Sequence, residues 1–107
     1  MSKRNEKKLR DLAALAHERA LAHALDKLYA EFELWRNGAL NAFDLNQSIH
    51  EFHNKTARKI YSFYAGAEPR LVVSAAARDE ILTREEVGDE LLSELGPTLE
   101  LLRRTPE

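Results

Sequence analysis

The amino-acid sequence predicts an all-α fold, a small helical bundle of four to five helices with one long N-terminal helix. Residues 6–36 lack both Gly and Pro and are rich in Ala, Leu, Glu, Lys and Arg, all strong helix formers. The four Gly and three Pro of the chain fall instead at helix boundaries. Val72-Val73 is the one strand-like dipeptide of note, and Ala75-Ala76-Ala77 just after it argues against a strand.

The first helix, over 6–36, ends at Asn37-Gly38, where Gly supplies the left-handed residue past the last turn. At ~1.5 Å per residue it spans about 45 Å, long for so small a body. The second helix opens on Asn41 as N-cap with Asp44 at the third helical position, and Leu40 can pack onto Leu45 across the cap. It is expected to run to Tyr64, with Gly66 beyond its end. Pro69 suits the first position of a third helix, which carries Leu71, Val72, Ala75 and Ala76 inward and ends near Asp79. Thr83-Arg84-Glu85-Glu86 is a capping box, flanked by Leu82 and Val87. It starts a fourth helix reaching about Leu95, where Gly96-Pro97 stops it. Pro97 then starts a short terminal helix through Leu101 and Leu102. Leu40, Leu45 and Ile49 repeat the spacing of Leu82, Val87 and Leu91, which predicts two similar helix–helix corners through shared capping physics.

With 107 residues, 44% hydrophobic and 32% charged, the chain reads as one domain over 1–107. Its basic start, 1–8, is expected to fray, and 103–107 to form a flexible tail. A formal net charge of −2 carries no overall bias toward nucleic acid or a membrane. Cysteine is absent, so disulfides and thiolate metal sites are excluded. Charges interrupt every apolar stretch, and no apolar run of signal-peptide length follows the basic start, so a cytoplasmic protein is expected. Residues 1–10 carry five bases and one acid, whereas 79–107 carry nine acids and three bases. Ends of opposite sign can attract, though exposed pairs contribute at most about 1 kcal/mol.

On the second helix Leu45, Ile49, Phe52, Thr56, Ile60 and Phe63 form an apolar stripe with Glu51, Lys55, Arg58 and Ser62 opposite. The first helix has a seam of Leu21, Leu25, Leu28, Phe32 and Trp35, yet Leu12, Leu15 and Ala22 project from another side. A helix that is apolar on two faces needs two neighbours. Self-association through the N-terminal half is therefore expected, with Leu12, Leu15 and Ala22 in a homodimer interface.

Candidate chemistry is sparse. His50 and His53 point about 60° apart on a helix and could share a metal ion, but no persuasive third or fourth ligand accompanies them. The simpler expectation is no metal and no cofactor, with both as boundary residues. Beside the stripe, His50, His53, Ala57, Tyr61 and Tyr64 make a shelf of polar rings around a small residue, suited to a protein partner. Arg10-Asp11 and His17, an arginine before a histidine on one helix face, resemble the degenerate signature of HEPN-type ribonucleases, small all-α dimers. That resemblance implies His17 as base and Arg10 as the group steadying the phosphate. No serine or threonine sits with a paired His and acid in a recognisable arrangement, and Gly-rich phosphate loops are absent. Lys3, Arg4, Lys7, Lys8 and Arg10 lack interleaved aromatic residues and read as a solvated helix start rather than a nucleic-acid site.

The expected role is thus a non-catalytic, self-associating interaction or adaptor module. The alternatives are a metal-dependent or HEPN-like hydrolase using helix-borne histidines, and weak nucleic-acid binding through the basic N-terminus.

Overall fold

The chain begins to coil at its second residue. Ser2 Oγ accepts the Asn5 backbone N–H at 3.1 Å, and the helix α1 that follows spans Lys3–Arg36. Residues 3–8 of the basic start lie within this capped helix. Asn5 is buried, and its side-chain amide donates to Glu94 Oε1 at 2.8 Å, tying the basic end of the chain to the acidic one. The computed structural model describes residues 1–104. After α1 come α2 (Ala42–Glu51), a single π-turn (Phe52–Thr56), α3 (Ala57–Gly66), α4 (Pro69–Arg78), α5 (Arg84–Val87), α6 (Asp89–Glu94) and α7 (Gly96–Arg104). No strand occurs among the described residues. Of the expected tail, Arg103 and Arg104 close α7, and 105–107 lie outside the described residues.

The two corners are built alike. Gly38 (φ 86°) and Glu80 (φ 61°) take the left-handed position after α1 and α4. Behind them the N–H groups of Ala39 and Ile81 donate to the carbonyls of Leu34 and Ala76, both at 2.8 Å. Leu40 and Leu82 share those same two carbonyls, both at 3.2 Å. The next helices are capped in step: Asn41 Oδ1 accepts from Asp44 N–H at 2.8 Å, and Thr83 Oγ1 from Glu86 N–H at 3.1 Å. Glu86 completes its capping box by accepting the Thr83 N–H at 2.9 Å.

Two breaks differ from the sequence expectation. The helix expected from Thr83 to Leu95 divides at Gly88, whose φ of 87° is available to glycine at little steric cost. The stop near Leu95 and the new start at Gly96-Pro97 are as expected: α6 ends at Glu94, and α7 begins at Gly96 because Pro in a first turn has no N–H that the helix requires. The second helix is not one smooth rod either. At the π-turn the Ala57 N–H reaches back five residues to the Phe52 carbonyl, which inserts one residue into the helix. Each residue turns a helix by about 100°, so everything beyond is re-phased. The inward line is Leu45, Ser48 and Phe52 before the turn, then Ala57, Ile60, Tyr64 and Ala67 after it. Of the expected stripe, Leu45 is buried, Phe52, Ile60 and Phe63 are half-buried, and Ile49 and Thr56 are exposed.

The fully packed core lies at one end of α1. Leu9, Leu12, Ala13 and Ala16 meet Val72, Val73 and Ala76 of α4, Leu82, Val87, and Leu91 and Leu95 around α6. The rest of α1 extends past this core and, among the described residues, pairs chiefly with α2, the π-turn and α3 as a two-armed hairpin. Arg19 marks the junction. Its guanidinium donates to both Glu86 carboxylate oxygens at 2.7 and 2.6 Å and to the Ile81 carbonyl at 2.9 Å.

Candidate functional site

Most of the exposed large apolar side chains lie on the hairpin. Leu25, Tyr29, Phe32 and Trp35 follow one another at helical spacing on α1, with side chains 46%, 64%, 36% and 40% exposed. Ile49, Phe43 and Tyr61 are exposed on the other arm. The reason is geometric. Two helices side by side touch along one line, so each arm buries a narrow strip and leaves two flanks open. One flank is a groove where Ala24, Leu28 and Glu31 face Ser48, Phe52 and Ile60. It is polar at its floor, since Ser48 Oγ donates to Glu31 Oε1 at 2.7 Å. Helical register puts Leu25 and Phe32 on the side of α1 away from that groove, and Ile49, His53, Ala57 and Tyr61 on the matching side of the second arm.

The seam read as core-facing along α1 is thus only partly covered: Leu21 and Leu28 are half-buried, and Leu25, Phe32 and Trp35 are not. Conversely, Leu12 is 7% exposed and Leu15 is half-buried against the core, so the chain itself covers two of the three side chains expected to need a second copy. This corrects the expected placement. The later helices wrap the N-terminal half of α1, and the unburied apolar surface lies in its C-terminal half. Ala22 does remain exposed. The available clue was the length of α1, since a spine longer than the body leaves its far end with a single neighbour.

The shelf residues divide. Tyr61 and Tyr64 gather around His17 of α1: the His17 ring stacks on Tyr64 at 5.7 Å between centroids and meets Tyr61 edge-on at 6.1 Å. Burial, with a smaller contribution from the negative charge of Asp79, pushes the Tyr64 phenol above its ordinary pKa. Ala57, one turn before Tyr61, is half-buried. His50 lies before the π-turn and His53 within it; both are exposed, His50 in hydrogen-bonding contact with Asn54 at 3.0 Å. Among the described residues no three of His, Asp or Glu gather to hold a metal ion, so His50 and His53 lack the remaining ligands a zinc site requires.

Arg10 and His17 do not converge. Two turns of helix, about 10 Å, separate them along the axis. Arg10 lines a shallow depression with Glu6, Glu68 and Arg70, whereas His17 is packed between tyrosines. Of the basic start, Lys7 is paired with Asp11 at 2.7 Å, and Lys8 lies over Gly88. None of the described helices is long and apolar enough to cross a membrane. No protein-family model, curated protein or solved structure matches this chain.

Proposed function

We propose that this protein is a non-catalytic, self-associating helical module of the cytoplasm, and that its hairpin pairs with the hairpin of a second copy. The carrying observation is the exposed row Leu25, Tyr29, Phe32 and Trp35, with Ile49 and Tyr61 on the facing arm. A two-helix layer with one apolar face is half of a four-helix bundle, and a two-fold axis closes it with no further component. The flank contains Tyr, Trp and Phe, the residue types enriched in the cores of protein interfaces. Tyr61 and His17 stand at its inner edge, where α1 emerges from the packed end.

Sedimentation velocity and light scattering test the reading. A dimer is expected at micromolar concentration. Placing a carboxylate on the flank in the Leu25→Glu/Phe32→Glu double variant is expected to weaken it by about a hundredfold or more, since a buried, unpaired charge costs several kcal/mol. Helix content should remain unchanged, because neither side chain belongs to the core. A monodisperse monomer of the unsubstituted chain at micromolar concentration overturns the reading.

A further inference from the structure

Around the second corner, on the side of the packed end that meets the junction, lies a cavity of about 530 Å³, which falls in the size range of small-molecule sites. Its floor is apolar, made by Ala77, Leu82, Leu92 and Leu99, and three arginines, Arg78, Arg84 and Arg103, line it together with Glu80. The arginines come from three separate elements: the end of α4, the start of α5 and the last turn of α7. Arg78 is tied to Asp79 by two hydrogen bonds at 2.8 and 3.1 Å. Arg84 and Arg103 make no hydrogen bond or ion pair with a described residue and are exposed. Glu80 reaches this rim from the left-handed position that closes the second corner.

We propose that this cavity binds a small amphipathic anion, an apolar chain ending in a single carboxylate. The floor accepts the chain, and the guanidinium forks of Arg84 and Arg103 take the head group by paired, charge-assisted hydrogen bonds. Among the described lining residues Arg78 is bonded to Asp79, and Arg84 and Arg103 stand against the carboxylate of Glu80. That excess of cations favours an anionic chain over a neutral one. A short free anion would leave the apolar floor unused.

Titration calorimetry and heteronuclear NMR on the full chain test this, with decanoate, decanol and inorganic phosphate as probes. Decanoate should bind saturably, with amide shifts at Ala77, Leu92 and Leu99. Decanol and phosphate should each bind at least about tenfold more weakly. Arg84→Gln/Arg103→Gln should weaken decanoate by about tenfold or more and leave decanol unchanged. Both arginines are exposed, so the substitutions leave the core intact, and the decanoate–decanol comparison reads the charge requirement without any substitution. Equal affinities for decanoate and decanol, shifts confined to the hairpin, phosphate binding as tightly as decanoate, or an unaltered double variant each overturn the proposal.

Discussion

Glu86 shows how one side chain can hold two parts of a fold together. Its carboxylate accepts the Thr83 N–H at the start of α5 and receives the Arg19 guanidinium from α1. The Arg19 hydrogen bond, and after it the Thr83 backbone, hold its pKa well below the ordinary 4.5, at about 2. A carboxyl depressed in the folded state releases its proton more readily there than in the unfolded chain. Its stabilisation is therefore complete above pH ~4.5 and lost as pH falls through about 2. Thermal melts followed by circular dichroism should show the melting temperature of Glu86→Gln below that of the parent at neutral pH. The two values should converge as pH drops across that window. A constant gap down to pH ~2 would reject this account. The cap half of the arrangement was legible, because Thr83 and Glu86 are three residues apart and local grammar suffices. The arginine half was not, since Arg19 lies 67 positions away and nothing local distinguishes it from other helix-surface arginines.

At the scale of the element, the corners were readable and the π-turn was not, for a physical reason. A corner needs a left-handed residue, a capping side chain and a bracketing apolar pair, and each of these constrains residue type. Asn37-Gly38-x-Leu40-Asn41 and Asp79-Glu80-x-Leu82-Thr83 meet that demand in parallel. A π-turn adds one residue of almost any kind, so Phe52-His53-Asn54-Lys55-Thr56 still reads as ordinary helix, and the stripe extrapolated through it loses Thr56 while Ile60 and Phe63 stay half-buried. That single insertion turns Thr56 outward, carries Tyr64 inward to His17 and separates His50 from the tyrosines it was grouped with. The corners also yield a paired prediction. Glu80 occupies the left-handed position that Gly38 fills in the first corner, at a steric cost of about 1 kcal/mol. Glu80→Gly should raise the melting temperature by about 4 °C and Gly38→Ala should lower it by a similar amount. If both substitutions shift it in the same direction, the corners are not energetically equivalent.

The whole molecule is longer than its chain length requires. Its radius of gyration is 17.0 Å, with extents of 53 × 26 × 21 Å, whereas a compact chain of about this length has a radius near 13 Å. α1 runs nearly the full long axis, a closed core surrounds its first half, and a single antiparallel arm accompanies its second. Burial, and with it resistance to opening, is thus concentrated at one end. Native-state hydrogen exchange reads this imbalance directly. In dilute solution the amides of 9–16 and 72–76 should be well protected, while those of 25–36 and 42–52 should exchange much faster through opening of the hairpin. Mass action then separates a partnered hairpin from a lone one. Raising the protein concentration populates the dimer, and any opening that must first dissociate it becomes rarer in proportion. Protection of the hairpin amides should therefore climb with concentration in the unsubstituted chain and stay flat in Leu25→Glu/Phe32→Glu. Hairpin amides already as protected as the core at high dilution would show that one arm alone stabilises the spine, and the exposed row would then have no role in holding the structure closed.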